Sequence, residues 1–191
     1  VRPPGAPLRR LVAHAVAASG PDERSSLRGG GVLILVTTGG QSPFDRLVRT
    51  VDEWAATHGR SDFFAQIGAG EYEPRAMPWT RFLHADEFQR RVAEAELVVS
   101  HAGMGTILTC LELGVRLLVL PRRASLRETR NEHQLATARY LKQRNLVAVA
   151  DDEACLSRLL DHMDEVASTA RIGRCAEGPL VDLLRGFIEG R

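Results

Sequence analysis

Ser100-His101-Ala102-Gly103-Met104-Gly105-Thr106 brings hydroxyls, an imidazole and closely spaced glycines into one short stretch. Glycine lets the backbone approach an anion closely. A helix starting there offers unpaired N–H groups and a partial positive charge. The Gly103, Met104, Gly105 and Thr106 amides therefore suit a diphosphate. The spacing is not GxGxxG, and no ribose-binding acid follows at the usual distance, which argues against a dinucleotide site. His101 stands at the end of a strand, where it is either a structural cap or a weak catalytic candidate; no other residue presents itself for catalysis.

Three further polar clusters stand where elements meet. Asn131-Glu132-His133-Gln134 opens a helix. Asn131, Gln134, Leu135 and Ala138 follow i, i+3, i+4, i+7 spacing and share a face. The amide and imidazole groups of Asn131, His133 and Gln134 suit sugar hydroxyls, which both donate and accept hydrogen bonds. Asn131 fits a helix N-cap equally well. Thr38-Gly39-Gly40-Gln41-Ser42 is a second glycine turn before a helix, and for Gly39 and Gly40 phosphate contact and a plain tight turn both stand open. Arg122 and Arg123, with Arg127 and Arg130 beyond them, either neutralise a departing diphosphate, read an acidic donor sugar, or belong to a solvated surface loop.

These clusters need a scaffold, and the hydrophobic pattern supplies one. Val32–Val36 is a continuous apolar run, as in strands buried on both faces of a parallel sheet. A helix is expected over Asp45–His58, with Phe44, Leu47, Val48, Val51 and Trp54 as its apolar stripe. Further strands are expected at Asp62–Ile67, Leu97–Val99, Arg116–Leu120 and Leu146–Val149. Helices are expected at Glu87–Glu96, Gly103–Leu113, Asn131–Gln143 and from Asp152 to Val166. Strands alternating with helices imply right-handed βαβ units and an α/β, Rossmann-like parallel sheet. Residues 1–31 read as a flexible lead-in with one short helix, residues 32–166 as the domain, and residues 167–191 as a tail with one helix at Leu180–Ile188. His14 interrupts the apolar stretch near the start, which fits a signal peptide poorly.

Bulk composition adds limits. A chain of 191 residues with 44% hydrophobic and 26% charged residues is an ordinary globular protein. A net charge of +1 gives no overall pull toward nucleic acid. Lys142 is the only lysine, so positive charge is carried almost wholly by arginine. The three cysteines form no CxxC and no metal-ligand pattern, which points to a reducing, cytoplasmic compartment. Apolar runs such as Val32–Val36 fall far short of the ~20 residues needed to span a bilayer.

The combination SHAGMGTIL, then LPRR, then NEHQLA resembles the family 28 glycosyltransferases over about Val32 to Asp151. It is most similar to the small catalytic subunit of two-subunit UDP-N-acetylglucosamine transferases and to bacterial exopolysaccharide counterparts. The resemblance implies the single donor-binding lobe of a GT-B glycosyltransferase, with a UDP-sugar as donor substrate and no cofactor or metal. It implies that Gly103, Met104, Gly105 and Thr106 bind the donor diphosphate, that His133 and Gln134 contact the sugar, and that the turn containing Gly39 and Gly40 borders the cleft. The uridine base is expected near Phe82–Leu83. Many relatives carry a ribose-binding glutamate where this chain has Thr109, and a threonine can offer only a neutral hydrogen bond there.

Together these features lead to one expectation: inverting transfer from a UDP-sugar to a lipid-linked acceptor, with the departing UDP stabilised by helix-terminal amides. No persuasive general base is visible, and the chain has no room for a second lobe. A membrane-associated partner subunit holding the acceptor is therefore expected, with the chain at the inner face of the membrane. The rival readings are a UDP-sugar epimerase or hydrolase and a non-catalytic donor-binding subunit.

Overall fold

The computed structural model describes residues 33–166. The expected lead-in, its helix and the expected helix at Leu180–Ile188 lie outside these residues. Six strands form one sheet in the order β3-β2-β1-β4-β5-β6, every neighbouring pair parallel. They are β1 (Leu33–Thr37), β2 (Phe63–Gln66), β3 (Trp79–Thr80), β4 (Ala95–Ser100), β5 (Arg116–Val119) and β6 (Ala148–Val149). The helices between and after them are α1 (Asp45–His58), α2 (Ala85–Glu94), α3 (Met104–Leu113), α4 (His133–Gln143) and α5 (Glu153–Asp161).

Side-chain alternation along the central strands divides the core into two layers. Ile34, Val36, Leu97, Val99 and Leu118 face α1 and α5, meeting Leu47, Val51, Trp54, Leu156 and Leu160. Leu35, Val98, Leu117 and Val119 face α2, α3 and α4, meeting Val92, Ile107, Leu111, Ala138 and Leu141. Burial on both faces is why these strands lack polar alternation. Helix ends are set locally: Gly59 and Gly114 take left-handed backbone angles and close α1 and α3 onto their last carbonyls. The Asp152 side chain caps α5 by accepting from the Cys155 N–H at 2.7 Å.

Several expected boundaries shift. β3 has no counterpart in the sequence reading, because two residues cannot show a period of two. α2 begins at Ala85 and yields to β4 at Ala95, earlier than expected. α4 starts at His133 instead of Asn131, and α5 ends at Asp161, followed by a 3-10 turn at Met163–Glu165.

The loop from β2 to β3 is tied to α1 by two carboxylates. Asp45 accepts from the N–H groups of Glu71 at 3.2 Å and Tyr72 at 3.3 Å. Asp52, only 3% exposed, accepts from Tyr72 Oη at 2.7 Å and from the Arg75 and Ala76 N–H groups at 3.0 and 2.8 Å. Burial and the adjacent Asp52 carboxylate push the Tyr72 hydroxyl up to about 12.

Candidate functional site

In an open parallel sheet the ligand crevice lies beyond the strand ends where the strand order reverses, which here is between β1 and β4. Both strands end on buried hydroxyl residues, and Thr37 pairs in register with Ser100. Past them lie the two glycine turns, brought together by the fold.

His101 is the wedge between these turns. A Cβ on Gly39 would stand 2.6 Å from its Cε1, and one on Gly103 would stand 2.1 Å from its Nε2. Gly39 also has φ of 71°, a backbone angle that L side chains rarely adopt. Ser100 Oγ lies 3.3 Å from His101 Nδ1, and the Thr37 backbone also bonds the ring. Gly40 and Gly105 have open space where a Cβ would stand.

Burial, and then the Arg122 charge, drive His101 down from its ordinary 6.5 to about 4. It is a neutral ring at neutral pH and a weak base, suited to packing and orientation. Folding excludes its proton between these two values. The associated stability is therefore complete above pH 6.5, declines as pH falls toward 4 and then levels off. Over that window the loss amounts to about 3 kcal/mol. Urea unfolding at stepped pH is expected to show it, and His101→Gln is expected to remove that component. A ring midpoint near 6.5 in an NMR titration would refute the packing described.

α3 begins with no side-chain cap. The Gly103 N–H is used internally, donating to the His101 carbonyl at 2.9 Å. That leaves the first-turn N–H groups of Met104, Gly105 and Thr106 without a helical acceptor, one fewer than the sequence suggests. Thr109 Oγ1 donates to the Gly105 carbonyl at 2.9 Å, which leaves its oxygen only as an acceptor for a ribose hydroxyl.

Beyond β5 the arginines separate in role. Arg122 is 4% exposed, so the solvated-loop reading fails for it. Its Nη2 donates to the carbonyls of Thr38 at 2.8 Å and Ser42 at 2.6 Å, and its guanidinium lies over the Phe44 ring. Burial lowers it to about 10, still charged at neutral pH. Arg123 donates to the Asp151 carbonyl, while its N–H donates to Glu128 at 2.9 Å. Glu128 is gripped by Arg46 at 2.6 and 2.8 Å, which fastens this loop to α1. Arg127 and Arg130 are exposed.

Asn131 accepts from the His133 N–H at 3.3 Å, so the capping reading describes its oxygen. His133 is exposed. Gln134 accepts from the Arg122 N–H at 3.1 Å through Oε1, which leaves its NH2 group as the free end. At the sheet edge after β3, Phe82 is 56% exposed, an open apolar face beside the strand ends.

Sequence reasoning missed the pairing of the buried hydroxyls Thr37 and Ser100, and the carboxylates Asp45 and Asp52. The first pair had a signal, since each apolar strand run ends on a hydroxyl residue. The carboxylates had none, because a charged residue on an amphipathic helix reads as solvent-facing.

A six-stranded parallel sheet with an uncapped helix N-terminus at its switch point is a Rossmann-like lobe. The fold agrees with solved structures. The NMR solution structure of ALG13 matches with a TM-score of 0.55 at 18% identity, covering 80% of this chain and 94% of that one. MurG from Acinetobacter baumannii matches with a TM-score of 0.55 at 14% identity, covering 86% of this chain and 51% of that longer one. The model of the glycosyltransferase family 28 C-terminal domain matches residues 32–171, and the chain belongs to that family. A UDP-N-acetylglucosamine transferase subunit, ALG13 of Yarrowia lipolytica, is 30% identical over 136 residues, 64% of this chain and 67% of that protein.

Proposed function

We propose that this chain is the donor-binding, catalytic subunit of a hexosyltransferase that moves a sugar from a UDP-sugar to a lipid-linked acceptor in polysaccharide or glycan synthesis. The observation that carries the reading is the uncapped α3 N-terminus at the sheet's switch point, in a chain of this family. The Met104, Gly105 and Thr106 amides hold the diphosphate and take up charge on the departing UDP. Gly40 leaves the opposite wall open. The Gln134 NH2, with His133 and Asn131, faces the sugar, and Phe82–Leu83 borders the base.

The reading includes a partner subunit. Among the described residues no group is placed as an evident base for the acceptor hydroxyl, and a partner chain supplies that side. The related ALG13 is itself named as a transferase subunit. Among the described residues no helix is long and apolar enough to cross a membrane. In this reading the partner brings the chain to the inner membrane face, where lipid-linked acceptors are held.

Calorimetric titration with UDP, several UDP-sugars and NAD tests the donor class, and absence of UDP binding ends the proposal. Sugar conversion without any acceptor would instead establish the epimerase or hydrolase reading. Gln134→Glu keeps an oxygen for the Arg122 N–H but replaces the outward NH2 with an acceptor. It is expected to reduce transfer about 100-fold, the scale of a lost positioned donor, with UDP affinity within about threefold of wild type. Equal loss of both would remove Gln134 from the sugar side.

A further inference from the structure

We infer that Arg122 is a positioning residue that sets the Thr38–Ser42 turn and the Gln134 carboxamide in register with each other, acting through them and not by touching the diphosphate. The inference rests on the donor site proposed above. Its basis is the way one residue reaches both walls. The Arg122 side chain spans 84 residues of sequence to the Thr38 carbonyl and 80 to the Ser42 carbonyl. Its own backbone N–H meets Gln134 Oε1.

Burial and bonding set the direction of that action. Nη2 makes both side-chain bonds, and Nε is buried with no partner. A guanidinium committed to two carbonyls and packed over Phe44 has little freedom to swing onto a phosphate. What it fixes is the turn on which Gly39 meets His101. The same charge helps burial keep the His101 ring neutral, against the opposite pull of its bond to the Thr37 backbone.

The test compares Arg122→Met and Arg122→Lys in the full chain with its acceptor-bearing partner present. Readouts are donor KM and kcat, UDP affinity, and the NMR midpoint of the His101 ring. In the Met variant donor KM is expected to rise about tenfold, and the His101 midpoint to move up from about 4. The Lys variant keeps the charge, so the midpoint stays low, while one ammonium replaces a fork and only part of the KM loss is recovered. Combining Arg122→Met with Gln134→Glu is expected to be clearly less than additive, because both disturb the same carboxamide.

A folded Met variant with wild-type KM and kcat overturns the inference. So does full additivity with Gln134→Glu, which would mean independent contact with the diphosphate. If the Met variant does not fold, the Lys variant decides by the same two criteria. Absence of UDP binding by the wild-type protein defeats the donor-site reading instead, and the His101 midpoint still reports whether Arg122 sits where described.

Discussion

Gly39→Ala is expected to destabilise the protein by about 3 kcal/mol and to weaken UDP binding at least a hundredfold, while Gly40→Ala beside it shifts stability by less than about 0.5 kcal/mol. The two glycines are neighbours in sequence and opposites in environment. At Gly39 the new Cβ meets the His101 ring at 2.6 Å, and the backbone holds φ of 71°. Left-handed angles cost a non-glycine residue about 1–2 kcal/mol, and the overlap adds the cost of an overpacked core. The ring cannot retreat, because Gly103 closes its other side. Gly103→Ala is expected to cost less, about 2 kcal/mol, since its backbone angles suit any residue. Removing the ring with His101→Ala in the Gly103→Ala background should recover much of that loss. Urea unfolding and UDP calorimetry check these values. If Gly39→Ala proves as mild as Gly40→Ala, the wedge does not exist.

Asp52→Ala is expected to cost about 4 kcal/mol, measured by urea unfolding at pH 7. The carboxylate is buried and receives a phenol and two backbone N–H groups from the β2–β3 loop. Truncation leaves those donors without their acceptor. Tyr72→Phe removes one of these bonds and should cost about 1 kcal/mol. The exposed neighbour provides the comparison, with Glu53→Ala expected to change little. A loss under about 1 kcal/mol for Asp52→Ala would mean that the loop does not depend on this anchor.

The sheet was legible wherever apolar residues ran on without interruption. Val32–Val36 and Leu117–Leu120 could only be buried strands, and the stripe from Phe44 to Trp54 placed α1 at its observed ends. The two glycine turns were legible as strand-to-helix turns, because paired glycines interrupt both strand and helix patterns. What escaped were contacts between distant segments. Nothing local tells His101 that Gly39 will stand against it, or Arg122 that the Thr38 and Ser42 carbonyls await it. A Pro-Arg-Arg sequence after a strand looks like a solvated loop until tertiary packing buries it. Asp52 escaped for the same reason in reverse, because its partners are backbone N–H groups, which every sequence contains.

The reach of Arg122 back to Thr38 across 84 residues also has a meaning for how the protein is made. A ribosome adds about 5–20 residues per second, so the first glycine turn emerges several seconds before the arginine that orders it. Parallel pairing of β1 with β4 must likewise wait for a long loop to close, which is slow and entropically costly. During that interval the most apolar strand of the sheet has no finished neighbour on one side. Nascent chains are therefore most exposed to aggregation and to chaperone capture between the synthesis of β1 and that of β4. The crevice between β1 and β4 is complete only in chains that have passed that point.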